Sequence, residues 1–228
     1  MNTALVVAAH PDDEVLGCGG TIARLADEGW AVHILILSEG ATSRDDVRDR
    51  DARAGELSVL AKCAQAAADR LGAASLHLED FPDNRMDGCD LLDIVKRIEA
   101  AIDRTGAARL LTHSASDVNV DHRMIHDAAI AATRPKPGAP VRELWFFEVP
   151  SSTEWRPPTS LSPFSPTLFV DITTSLDRKL AALDDYAPEM AAFPHPRSVE
   201  AVRHLAGWRG ATVGARAAEA FEVGRIII

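Results

Sequence analysis

Two short apolar runs, Ala4-Leu5-Val6-Val7-Ala8-Ala9 and Ala31-Val32-His33-Ile34-Leu35-Ile36-Leu37, flank a segment of helical length. Runs this short suit buried strands and cannot cross a membrane. Nearly unbroken apolar strands are covered on both faces, as in parallel sheets. Between them, Gly17 to Gly29 reads as a helix with Ile22, Leu25 and Ala26 on its apolar face and Gly29 as its stop. Strand, helix and strand in that order form a βαβ unit, so the chain is expected to be α/β with a mostly parallel sheet.

The turn after the first strand is Ala9-His10-Pro11-Asp12-Asp13-Glu14. In open α/β sheets, ligands bind at the carboxyl ends of strands. Three carboxylates beside an imidazole repel one another unless a cation joins them. Imidazole and carboxylate are both zinc ligands, and a neighbouring carboxylate can act as base. An acidic turn that only caps a helix would read the same way, because Asp and Glu favour helix N-termini. The Gly17-Cys18-Gly19-Gly20 cluster is a weak nucleotide signal. A dinucleotide fingerprint sets its glycines directly after the strand. Here carboxylates intervene and would repel a pyrophosphate.

The alternation continues. Ser38 to Arg50 is a charged rim loop. A long helix is expected from about Asp46 to Leu71, with Arg53 and Glu56 one turn apart near its start, either as a surface ion pair or with Arg53 in a site. Ser75 to Leu78 reads as a strand. Phe81 to Asp87 reads as a turn that offers Arg85 as a substrate anchor and Asp87 as the cap of a helix from Leu91 to Thr105. Arg109 to His113 is the next strand, followed by Ser114-Ala115-Ser116-Asp117-Val118-Asn119-Val120-Asp121-His122-Arg123 and a helix from near Asp121 to Thr133. His122 and His126 share one face of that helix. His126 is expected to pack or to support a ligand, and Asp121 to orient an imidazole.

Glu143 to Val149 reads as a strand and Pro150 to Pro166 as a long irregular loop that covers a site or an interface. Leu168 to Ile172 is a strand, and Thr173 or Thr174 is expected to cap a helix from Leu176 to Tyr186. His195 and Arg197, on a turn before a helix at Val199 to Arg209, could line a site or decorate a loop. Phe221 to Ile228 closes the chain as a strand.

The 228 residues suffice for one sizeable domain, taken as 1–228. A net charge of −10 disfavours nucleic acid and anionic membranes as partners. No apolar stretch is long enough for membrane insertion, and no basic region precedes the first run, which argues against a signal peptide. Cys18, Cys63 and Cys89 are odd in number and lack metal-like spacing, so reduced thiols in a cytoplasmic protein are expected.

With the His10-Pro11-Asp12-Asp13-Glu14 and Asp117-to-Arg123 stretches in hand, the sequence resembles the PIG-L/LmbE-like family of zinc-dependent N-acetylglucosaminyl deacetylases. The resemblance implies a Rossmann-like sheet sandwiched by helices, without a nucleotide. It implies zinc held by His10, Asp13 and His122, with Asp12 as catalytic base. Some relatives carry His where this chain has Asn119, and some carry an oxyanion-stabilising Tyr where it has Asp117. A carboxylate cannot donate to an oxyanion, so His113 is the candidate substitute. Arg53 matches a family arginine in an R-x-x-E pattern, and Asp83 to Arg85 match a sugar-contacting loop. With Asn119 and His195, these make the candidate substrate-binding set. The implied substrate is a small N-acetyl amino sugar, and the implied products are acetate and a free amine. A zinc amidase of another amide, such as a thiol conjugate, and a non-catalytic metal- or sugar-binding protein remain as alternatives. A homo-oligomer is also expected, with Trp145, Phe146, Phe147 and the Pro-rich loop as an interface.

Overall fold

Alternate residues of β1 (Thr3–Ala8) enter two different cores. Ala4, Val6 and Ala8 join a cluster with α1 (Asp13–Asp27), α2 (Ala54–Leu71) and α5 (Leu176–Asp185). Leu5 and Val7 join a second cluster with α3 (Leu91–Thr105) and α4 (Val120–Ala132). The period of two along a strand sends successive side chains to opposite faces, so helices cover both sides of the sheet. The structure is a computed structural model that describes residues 2–158 and 162–228.

The other strands are β2 (Ala31–Ser38), β3 (Ser75–Phe81), β4 (Arg109–His113), β5 (Glu143–Phe147), β6 (Leu168–Asp171) and β7 (Ala218–Ile226). They form one seven-stranded sheet in the order β3-β2-β1-β4-β5-β7-β6. The first five pair in parallel, and β7 runs antiparallel to both β5 and β6. From β1 the chain winds outward to β2 and β3, then crosses back to β4 on the other side of β1. The order therefore reverses between β1 and β4. The crevice outside their carboxyl ends is the switch point where α/β sheets bind ligands. Both chemistry-bearing stretches of the sequence begin there.

Helix α1 starts at Asp13, so the acidic turn itself makes its first turn, where the helix dipole favours Asp13 and Glu14. The helix breaks at Cys18, whose φ of −146° is not helical. The amides of Gly20 and Thr21, just past the break, donate to the Glu219 carboxylate at 2.9 and 2.7 Å. Buried Lys179 pairs with that carboxylate at 2.5 Å and donates to the Leu16 carbonyl. The glycine cluster serves packing. A Cβ on Gly17 would lie 2.4 Å from the Phe147 ring, and one on Gly20 would lie 2.7 Å from Ile172.

Several boundaries differ from the sequence reading. Helix α2 begins at Ala54, not near Asp46. The intervening residues are drawn into ion pairs outside the helix: Arg48 with Glu39 at 2.7 Å, Arg50 with Asp80 at 2.9 Å and Arg53 with Asp45 at 2.7 Å. Asp87 lies in a short 3-10 turn, and Asp90 takes the cap position of α3. Ser175, not Thr173 or Thr174, precedes α5. Trp145, Phe146 and Phe147 are 6%, 7% and 0% exposed inside β5. They fill the core and cannot form the interface expected of them. The loop after β5 carries Trp155 half-exposed, and its residues 159–161 lie outside the described ones. Helix α6 (Val199–Ala211) is capped by Ser198. Among the described residues, no helix is long and apolar enough to cross a membrane.

Candidate metal centre and active site

Asp12, Asp13 and Glu14 are all buried, at 1% exposure each, and they do three different things. Glu14 is structural: Oε1 accepts from the Tyr186 hydroxyl at 2.7 Å and Oε2 from the Asp12 amide at 3.1 Å. Burial raises its carboxyl to about 7, against the pull of the Tyr186 hydrogen bond. Asp13 turns toward two histidines. Its Oδ2 lies 3.2 Å from His10 Nδ1 and 3.1 Å from His122 Nε2. Asp12 adopts a positive φ of 116°, rare for a residue with a Cβ, and this swings its carboxylate away from Asp13's partners toward Arg197.

Two groups of three among the described residues bring ligand atoms within 4.8 Å of one another: His10, Asp13 and His122, and His10, Asp83 and Asp121. Their hydrogen bonding separates them. In the first group Asp13 Oδ2 accepts from the His10 amide at 2.9 Å and His122 Nδ1 faces Asp117 at 3.0 Å, but Asp13 Oδ1 and His122 Nε2 are buried without a hydrogen-bond partner. Unpaired buried polar atoms are costly, and a cation among them removes that cost. Ligand atoms in a tetrahedral zinc site stand about 3.3 Å apart, given bonds of about 2.0–2.1 Å. The 3.1 and 3.2 Å contacts at Asp13 are of that size. In the second group the carboxylates are already engaged. Asp121 accepts from the Asn84 and Met86 amides at 2.7 and 2.9 Å. Asp83 accepts from the Ser43 amide at 3.0 Å and from the Asn84 side chain at 2.9 Å. Asp121 instead sits 3.1 Å from His10 Nε2, which leaves His10 Nδ1 for the metal. The residues of the first group fit a divalent metal.

Electrostatics agree. Burial opposes ionisation of Asp13, but the His122 charge and the His10 contact hold its carboxyl well below the usual range. Burial opposes a charge on His122, but Asp13 and then Asp117 raise it to about 9 in the metal-free protein. Burial pushes Asp12 up, and Arg197, whose Nη1 lies 3.2 Å from Asp12 Oδ2, pulls in the other direction. A carboxylate raised in this way is a stronger base once ionised.

The centre opens into a polar cavity of about 170 Å³. His10 and Asp12 line it, together with Asp83, Asn84 and Asn119 and with Arg44, Glu189 and Arg197. Asn119 caps α4, accepting from the Asp121 amide at 2.8 Å, and donates to the Asn84 side chain at 2.7 Å. Asp83 and Asn119 thus line the cavity. Arg53, Arg85 and His195 do not line it. Arg53 pairs with Asp45 and Glu56, Arg85 holds the carbonyls of Asp45 and Asp46, and exposed His195 accepts from the Arg197 amide at 3.1 Å. His113 is fully buried behind His122, stacked on its ring at 3.9 Å between centroids. Its Nε2 accepts from the Ala9 amide at 2.8 Å, so that nitrogen is not free to donate into the cavity. His126 packs on Phe146 and contacts the His113 carbonyl at 2.9 Å, away from the metal group. Arg44 and Glu189, joined at 2.8 Å, carried no local signal in the sequence, because each reaches the cavity from a separate loop. A larger hollow of about 480 Å³ runs along edge strand β3. It contains none of the metal group, and its charges are paired with one another.

The chain is similar to known proteins of one family. Residues 5–133 match the family model described as PIG-L, GlcNAc-PI de-N-acetylase. The 4-oxalmesaconate hydratase of Pseudomonas putida KT2440 is 33% identical over 209 residues, covering 80% of this chain and 74% of that one. The 1D-myo-inositol 2-acetamido-2-deoxy-alpha-D-glucopyranoside deacetylase of Rhodococcus jostii RHA1 is 39% identical over 88 residues, covering 33% and 30%. The crystal structure of GalB, the 4-carboxy-2-hydroxymuconate hydratase from Pseudomonas putida KT2440, superposes with a TM-score of 0.77 at 28% identity, covering 100% of this chain and 98% of that one. The matched span is more than half of the chain and contains the whole metal group, and on that evidence the chain belongs to the PIG-L family.

Proposed function

We propose that the protein is a zinc-dependent hydrolase that removes the N-acetyl group from an N-acetylglucosamine-like sugar, releasing acetate and a free amino sugar. The observation that carries this reading is the His10, Asp13 and His122 set, with Asp13 and His122 buried and with His10 and the adjacent Asp12 lining a polar cavity. Two His and one carboxylate with a free position suit catalytic zinc. When held there, zinc supplies a Lewis acid for the acyl oxygen and for the attacking water. Asp12 takes the proton of that water as it adds to the amide carbon. Arg197 holds Asp12 in place and keeps its charge balanced. Asp12 then returns the proton to the departing nitrogen. Asp83, Asn84 and Asn119 present carboxylate and amide groups to sugar hydroxyls.

A second reading is hydration of a small unsaturated carboxylate. It draws on the two arginines at the mouth, since guanidinium suits carboxylate recognition, and on the similarity to a hydratase. Both readings use the same metal group and the same base. Free-amine release from N-acetylated sugars and glycosides, with and without chelator, tests the first. Loss of the conjugated chromophore of an unsaturated dicarboxylate tests the second. Chelator-sensitive amine release supports deacetylation. Chromophore loss with no amine release would replace it with hydration. A cytoplasmic setting and self-association belong to the same proposal, supported by three free thiols and by the exposed rings of Phe193 and Trp208.

A further inference from the structure

We infer that Asp117 is a positioning residue of the metal centre, held to its task by the hydroxyls of Ser152 and Thr153. The inference rests on the reading of His10, Asp13 and His122 as the metal group. Asp117 is fully buried and does not line the cavity, so it meets no substrate. Its Oδ2 lies 3.0 Å from His122 Nδ1, on the far side of the ring from Asp13. A carboxylate there keeps the ring proton on Nδ1 and leaves the Nε2 lone pair for a metal.

The carboxylate is itself tightly placed. It accepts from the Ser152 hydroxyl, from the Thr153 hydroxyl at 2.8 Å and from the Asn119 amide at 2.8 Å. Arg123 and Arg156 both donate to the Asp117 carbonyl at 2.9 Å. The neighbouring Ser151 accepts from Arg197 Nε at 3.2 Å, and Arg197 contacts Asp12. Three consecutive residues after β5 therefore touch both halves of the machinery: Ser151 the side of the base, and Ser152 and Thr153 the side of the metal ligand. The loop after β5 is thus hydrogen-bonded to Asp117 and to Arg197, and Asp117 stands 3.0 Å from the metal ligand His122.

The test is zinc affinity, measured by competition with a chromophoric chelator, on wild type, Asp117→Ala, Asp117→Asn and a Ser152→Ala/Thr153→Ala double variant. Asp117→Ala is expected to bind zinc about 10–100-fold more weakly, the usual effect of losing a carboxylate behind a ligating histidine. Asp117→Asn and the double variant should shift in the same direction by less, and the visible spectrum of the cobalt(II) protein should change with them. A purely structural role would lower the melting temperature of the metal-free variants while leaving zinc affinity and the cobalt spectrum as in wild type, and that result would overturn the proposal. If Asp117→Ala does not fold, Asp117→Asn decides, and wild-type affinity in it has the same meaning. Wild type that binds no zinc at all would remove the metal reading and this proposal together. Wild type and Asp117→Ala binding equally would remove this proposal alone.

Discussion

Three adjacent carboxylates with equal burial are separated by their partners alone. Asp12 has an arginine and the cavity, Asp13 has two histidines, and Glu14 has a tyrosine and a backbone amide. This division makes two predictions at single residues. Asp12→Asn should retain zinc, measured by metal analysis after dialysis, yet lose about 10²–10⁴-fold in turnover, the range for loss of a general base. Near-wild-type turnover in that variant would mean the base is elsewhere. His122→Ala should lose zinc, whereas His126→Ala should keep it, because His126 packs against Phe146 and the His113 carbonyl. The opposite order would move the ligand one helical turn along α4.

At the scale of the element, α1 is a broken helix whose first turn belongs to the site and whose remainder belongs to the core. Gly17 sits where the helix presses on Phe147 of β5. Gly17→Ala should destabilise by about 1–3 kcal/mol, as overpacking does, read from the urea midpoint. An unchanged midpoint would show that Phe147 can yield. Cys18 lies at the break, and burial, followed by the charge of Glu219, pushes its thiol well above the ordinary range. The sign follows. Above about pH 9 the unfolded thiol ionises and the folded one does not, so this group lowers stability as pH rises, by at most about 1.4 kcal/mol per pH unit. A thiol reagent at pH 8 should therefore count no more than the half-buried Cys63 and Cys89 in the native protein and all three cysteines in denaturant. Labelling of Cys18 in the native state would mean that the break opens.

For the whole molecule, the reversal of strand order between β1 and β4 decides where chemistry can occur. The metal group bridges the ends of those two strands: His10 and Asp13 follow β1, and His122 follows β4. A zinc ion held by this group would tie together segments more than a hundred residues apart, which only the folded state brings together. Adding zinc at about a thousand times its dissociation constant should stabilise the protein by about 4 kcal/mol, and chelation should lower the melting temperature accordingly. Identical melting curves with and without chelator would argue against a metal joining these strands.

The α/β class and the parallel sheet were legible in the sequence because strand and helix periodicity are local. The two motif stretches were legible because their residue types are unusual side by side. The start of α2 was not, since long-range ion pairs to Glu39 and Asp80 hold residues 45–53 out of the helix. Nor could local pattern show that Trp145, Phe146 and Phe147 are core, that His113 stands behind His122, or that Arg53, Arg85 and His195 do not line the cavity. The sequence by itself determined the element order and the ligand-bearing turns, which depend on neighbours along the chain. Only the tertiary structure decided which carboxylate serves which role and which arginines reach the mouth. Those outcomes depend on contacts between loops far apart in the chain, as where Arg197 meets Asp12 and Ser152 meets Asp117.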